Sequence, residues 1–160
     1  MSGLEVREAE PDDLHHILVL MHHLNPDDEP LDADEAERVW REQRASGLLH
    51  VLLGWLDGEA VTSCLLAIVP HLTRGGRPFA LIENVVTRTD LRGRGFGRTL
   101  MQAAVERARA ADCYKVMLLT GRKDEAVFRF YESCGFDRHS KTAFELRFPP
   151  KRARQRPWGA

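Results

Sequence analysis

Cysteine is scarce in this chain: Cys64, Cys113 and Cys134 lie far apart and form no CxxC pair. A disulfide framework and a zinc site therefore have no support, and buried thiols are expected instead. An excess of charge of either sign is also missing. Lys and Arg number 23 against 24 Asp and Glu, for a formal net charge of -1, so there is no global bias toward nucleic acid or an anionic membrane. Long apolar runs are absent too. "HVLLGWL" and "CLLAIVP" are far too short to span a bilayer, and the opening "MSGLEVREAE" has no apolar core of the kind a signal peptide needs. A cytoplasmic protein with no membrane or nucleic-acid partner is expected. Neither GxxxxGK[ST] nor HExxH occurs, and there is no internal repeat. The pairs His15-His16 and His22-His23 are expected to point neighbouring rings to different sides of their helix, which argues against a metal site.

What is present fits one domain of 160 residues with a proper core, 43% of it apolar. "LEVREA" alternates as a half-buried strand does, and Leu14, Ile17, Leu18, Met21 and Leu24 recur at helical spacing until "NP". A second helix, starting near Asp32 or Asp34 and closing at Gly47, carries Ala36, Val39 and Trp40. "LLHVLLGW" and "EAVTSCLLAIV" flank Asp57-Gly58, a hairpin signal. "FALIENVVT" is a fourth strand, "RTLMQAAVERARAA" a helix, "CYKVMLLT" a buried strand, "DEAVFRFYESC" a helix ended by Gly135, and "AFELRF" a last strand. Strand, helix, strand without a hairpin implies a parallel pair with a right-handed crossover. The tail at 149–160, "PPKRARQRPWGA", is basic and aperiodic, and a disordered arm is expected there.

The most informative stretch is "TDLRGRGFGRTL", between the fourth strand and the following helix. Glycines that let the backbone approach a ligand, set at a helix N-terminus with its unpaired N–H groups, make a phosphate site, and arginine forks reinforce it. A plain glycine-rich turn with solvated arginines gives the same letters. A dinucleotide fingerprint fits poorly, because this GxGxG follows the fourth strand rather than the first.

RxxGxG, here Arg92, Gly95 and Gly97, after "IENVVT" and opening a helix, together with "VFRFYESCGF", resembles the signatures of the GNAT superfamily of N-acetyltransferases. The resemblance runs to about Phe148. "CYKV" and "FYESCGF" are similar to glucosamine-phosphate N-acetyltransferases, and "LLHVLLGWLDGEAV" with "HSKTAFELRF" to aminoalkylphosphonate acetyltransferases. It implies a mixed α/β sheet of the acyl-CoA N-acyltransferase fold, in the order β-α-α-β-β-β-α-β-α-β-β, with a splayed parallel pair at the fourth and fifth strands. The domain is then 1–148. Acetyl-CoA is the implied acyl donor, with no metal. Val85 and Val86 are implied to pair with its pantetheine arm as an added strand, and Arg92, Gly93, Arg94, Gly95, Phe96, Gly97, Arg98 and Thr99 to hold its pyrophosphate. The family also makes a homodimer an open expectation.

Acetyl transfer to an amine needs a proton acceptor and a proton for the departing thiolate. The resemblance puts the general acid at Tyr131, whose phenol is protonated at neutral pH. A core aromatic flanked by Phe128 and Phe130 is the other reading. Glu83 is a carboxylate in an apolar strand, where burial would raise its pKa toward that of a base, and the polar face of an edge or bulged strand is its alternative. Asn84 is a candidate to position substrate. The acidic run "DDEPLDADEAE" reads as a solvated face, or as a lure for a cationic amine. An acetyl-CoA-dependent transferase acting on a primary amine of a small molecule is the expectation. A protein N-acetyltransferase and a non-catalytic CoA-binding module are the alternatives.

Overall fold

The computed structural model describes residues 3–149. β1 (Glu5–Glu8) leads to α1 (Leu14–Leu24) and α2 (Ala33–Ala45). The β2 (Leu49–Leu56) and β3 (Glu59–Val69) hairpin, β4 (Phe79–Thr87), α3 (Phe96–Ala110), β5 (Val116–Leu118) and α4 (Glu125–Ser133) follow. Their sheet order is β1-β2-β3-β4-β5, antiparallel except for the parallel β4–β5 pair. The hairpin turns where Asp57 and Gly58 both take positive φ, 50° and 84°, as a turn matching strand twist requires. Asp32 caps α2 by accepting the Glu35 N–H, and Asp124 caps α4 through Val127 N–H. Among the described residues no helix is long and apolar enough to cross a membrane.

Alternating strand residues feed two cores. Leu52, Cys64, Leu66, Ala80 and Ile82 pack against Leu100, Met101, Ala104 and Ala108 of α3 on one face. Val51, Leu53 and Ala60 pack against Ile17 and Leu20 of α1 and Trp40 of α2 on the other. The mostly apolar β2–β4 centre needs helices on both faces, and the chain supplies them.

Three expectations require correction. The fifth strand spans three residues rather than the eight of "CYKVMLLT", because β5 pairs with β4 only from Ala80↔Val116 to Ile82↔Leu118. No strand follows α4 among the described residues. "AFELRF" is an isolated stretch, since a strand exists only against a neighbouring edge and this one finds none among the described residues. The rings of His15 and His16 do not diverge but lie 3.7 Å apart, the second turned edge-on to Trp55 at 4.7 Å. Of the thiols, Cys64 is buried while Cys113 and Cys134 are half-buried. From Pro150 onward the tail lies outside the described residues.

Candidate active site

The geometry begins with a bulge in β4. Glu83 pairs with Leu65 and Val86 with Ser63, so Asn84 and Val85 together face Cys64 alone. Asn84 absorbs the extra residue at a φ of 53°, a left-handed conformation that asparagine tolerates better than most. The bulge reverses the facing of the strand. Ala80 and Ile82 point into the α3 core, whereas Val86, of the same parity, points into the α1–α2 core. At the same level β5 ends, while β4 continues to Thr87. The edge of β4 away from β3 is therefore unpaired from Glu83 onward. The Val86 carbonyl accepts from Thr62 Oγ1 at 2.7 Å on the β3 side, and alternation turns the Val85 amide and carbonyl toward the open edge.

The glycine–arginine loop follows. Gly93 and Gly95 take φ of 79° and 86°, with open space where a Cβ would stand, and Gly95 is the residue that opens α3. The first N–H groups of α3 have no intrahelical acceptor, so this end offers an anion its donors and the positive end of the helix dipole. Arg92 donates its Nε–H to the Thr87 carbonyl at 3.3 Å, tying the loop to the end of β4. Arg92, Arg94, Arg98 and Thr99 are exposed, and Thr99 Oγ1 lies 3.4 Å from the Gly95 carbonyl. Gly97 has a different use. A Cβ there would stand 3.3 Å from the Phe130 ring and 3.4 Å from Thr87 Oγ1, so its bareness lets α3 pack against α4 and β4.

α4 packs Tyr131 against the same core cluster as Val85 of β4 and Val116 and Leu118 of β5. Its ring packs between Phe130 and Phe136, with centroids 5.0 and 6.5 Å away, and the side chain is half-buried. Burial pushes the phenol above its ordinary value, helped by Cys134 and then by the negative charge of Glu83. The phenol accordingly stays protonated through the neutral range. Cys134, at the C-terminal cap of α4, is half-buried, and burial pushes its thiol above its ordinary value. Glu83 itself is exposed, which corrects the expectation of a buried carboxylate. The bulge ends β4's pairing with β5 beside it and leaves it facing solvent. The charge of Glu83 is felt at the Tyr131 phenol, and Asn84 lines a cleft of about 180 Å³. That cleft is walled by α1, α2 and the sheet through Leu14, Met21, Trp40 and Leu65. Among the described residues no group of three His, Cys, Asp or Glu could hold a metal ion.

A bulged strand parted from its parallel neighbour, with a glycine-turn helix start at its end, defines an acyl-CoA N-acyltransferase fold. The chain belongs to the acetyltransferase (GNAT) family, whose model matches residues 15–136, and is an acetyl-CoA-dependent N-acetyltransferase. It is 36% identical over 139 residues to a glucosamine 6-phosphate N-acetyltransferase of Trypanosoma brucei brucei, covering 86% of this chain and 92% of the relative. A solved putative acetyltransferase from Agrobacterium tumefaciens is 49% identical, with a TM-score of 0.86 over 90% of this chain and 99% of its own. The glucosamine-6-phosphate N-acetyltransferase of Arabidopsis thaliana, 21% identical with a TM-score of 0.76 over 91% of this chain and 99% of its own, shares the fold.

Proposed function

We propose that the chain transfers an acetyl group directly from acetyl-CoA to the primary amine of a small molecule, with Glu83 and Tyr131 handling the protons. The supporting observation is that Glu83 stands where the pairing of β4 with β5 ends, and that its charge acts on the half-buried Tyr131 phenol. Acetyl-CoA supplies an activated thioester. The outward amide and carbonyl of Val85 hold the pantetheine arm as a strand would be held, while Val86 anchors that part of β4 to β3 and the α1–α2 core. The N–H groups from Gly93 to Gly97, with Arg92, Arg94, Arg98 and the Thr99 hydroxyl, hold the pyrophosphate. Glu83 takes a proton from the acceptor ammonium, and Asn84 orients the amine. As the new C–N bond forms and the C–S bond breaks, the Tyr131 hydroxyl donates to the departing sulfur. Its hydrogen bond strengthens as charge develops there, which lowers the barrier.

Amino sugar phosphates lead the acceptor candidates, because a curated relative acts on one. Incubating the protein with acetyl-labelled acetyl-CoA and a panel of primary amines, glucosamine 6-phosphate included, tests the reading. Label transferred to one small amine supports it. Label that reaches only the protein fraction of a cell lysate moves the acceptor to a protein, and label transferred to nothing overturns catalysis.

A further inference from the structure

The cleft that Asn84 lines has a wall without charge. Ile17 and Met21 of α1, Val39 and Trp40 of α2 and Leu65 of β3 form it, and among the described residues no Asp, Glu, Lys, Arg or His takes part. Trp40 is 5% exposed and donates its Nε1–H to the Pro11 carbonyl at 3.0 Å. Its one polar atom is thus used within the fold, and the ring offers the cleft only carbon. The guanidinium of Arg44 lies 5.8 Å from that ring but outside the lining. Leu18 and Leu31 also line the cleft and are 38% and 54% exposed, so apolar surface continues from the cleft out to solvent.

The polar groups of this wall gather at the bulge in β4. Ser63 and Asn84 lie on the two strands there, and Gln43 on α2 is the one other side-chain amide or hydroxyl of the lining among the described residues. Glu83 pairs with Leu65, and residues directly opposite each other in neighbouring strands share a face of the sheet. Glu83 therefore projects on the cleft's face, beside a residue of its wall. A primary amine whose body fills the cleft can present its nitrogen at the carboxylate assigned as its base. The volume of about 180 Å³ is a little above the roughly 150 Å³ in which a benzene ring is held. A phosphate or a polyol placed there gives up its water and meets neither a cation nor a set of donors, whereas a hydrocarbon body loses nothing by leaving water.

We propose that the acceptor is an apolar primary amine, an alkylamine or an arylalkylamine of about the size of 2-phenylethylamine, with its carbon body between α1 and α2 and its nitrogen at Glu83 and Asn84. The inference rests on the acetyl-transfer reading above and takes the class of acceptor from the cleft itself, not from the relatives. Amino sugar phosphates, which lead on likeness to a relative, are then poor substrates, because the lining has no cation for the phosphate. The chemistry at the nitrogen is the same for either class. The acetyl group moves from sulfur to nitrogen, and the ammonium gives up two protons. One passes through Glu83 to solvent, and one replaces the proton that Tyr131 gives to the departing sulfur. Trp40, Val39 and Leu31 determine specificity by fixing how much carbon the cleft covers.

Steady-state kcat/KM at saturating acetyl-CoA, measured for propylamine, pentylamine, hexylamine, 2-phenylethylamine and glucosamine 6-phosphate, tests the assignment. Along the alkyl series it is expected to rise about fourfold per added methylene, the gain from burying one such group. 2-Phenylethylamine is expected to exceed glucosamine 6-phosphate about tenfold or more. Leu31→Arg sets a cation in the lining at an exposed position, so Tm and the KM for acetyl-CoA should hold while kcat/KM for hexylamine falls about tenfold. A flat alkyl series, a preference for glucosamine 6-phosphate, or hexylamine turnover indifferent to Leu31→Arg overturns the proposal and leaves acetyl transfer standing. Transfer to no amine at all is the distinct failure of the acetyl-transfer reading, and the proposal falls with it.

Discussion

The two halves of β4 follow opposite rules within nine residues. From Ala80 to Ile82 the strand is paired on both sides, and Ala80 and Ile82 are 0% and 1% exposed in the α3 core. From Glu83 to Thr87 it is bulged, paired on one side and polar at its turning point. The first half spends its residues on packing. The second gives up a ladder of hydrogen bonds and a regular backbone, and what it gains is an edge on which another extended chain can lie. Adjacent residues of one strand can therefore carry stability and chemistry separately, because the bulge between them changes both the face and the edge available.

The sharpest break in that comparison is Ile82→Ala. Cutting a fully buried side chain back to a methyl should cost about 3 kcal/mol of unfolding free energy. Chemical denaturation is expected to show that loss, while turnover per folded molecule is little changed. Tyr131→Phe should do the reverse, lowering kcat about 10²-fold, or roughly 2.7 kcal/mol of barrier, with acetyl-CoA affinity and Tm nearly unaltered. If stability falls and the rate survives, Tyr131 is a core aromatic. Because burial raises this phenol above 10, the alkaline limb of kcat in the unaltered protein should lie above pH 10, where the donor finally loses its proton.

Gly95→Asp tests the loop that β4 runs into. It forces a side chain into a φ of 86° and sets a negative charge where the pyrophosphate is proposed to sit. Calorimetry is expected to show acetyl-CoA binding weakened by about 2 kcal/mol, and unchanged affinity removes the loop from the site. The smallest expected effect belongs to Glu83→Gln, one residue beyond Ile82. Thermal stability should hold, since Glu83 is exposed, and turnover should fall about tenfold at low pH, where the amine is protonated. The loss should shrink as rising pH deprotonates the amine without help. A pH profile parallel to that of the unaltered protein leaves Glu83 without a role as base.

Much of this was legible in the sequence. Both hairpin strands and β4 announced themselves through β-branched and apolar runs, because these strands are buried or paired along their length. Asp57-Gly58 marked the turn by the φ it required. The loop was legible because glycine at positive φ leaves a trace in the letters, whereas the clearance that Gly97 gives the Phe130 ring was not, because it depends on a helix thirty residues away. Glu83 shows the limit. An apolar neighbourhood in sequence predicted burial, yet the bulge at Asn84 and the end of β5 beside it left the carboxylate exposed.

The sequence by itself determined the local elements, the turn and cap residues and the helix-opening loop, since these depend on the φ, hydrogen-bonding and side-chain periodicity of a few consecutive residues. It also determined that 143–148 has the alternation of a strand. Only the tertiary structure decided whether that stretch has an edge to lie on, where β5 stops, and which face β4 presents after Asn84. Pairing joins residues far apart in the chain, and a single extra residue in one strand reverses every side chain beyond it.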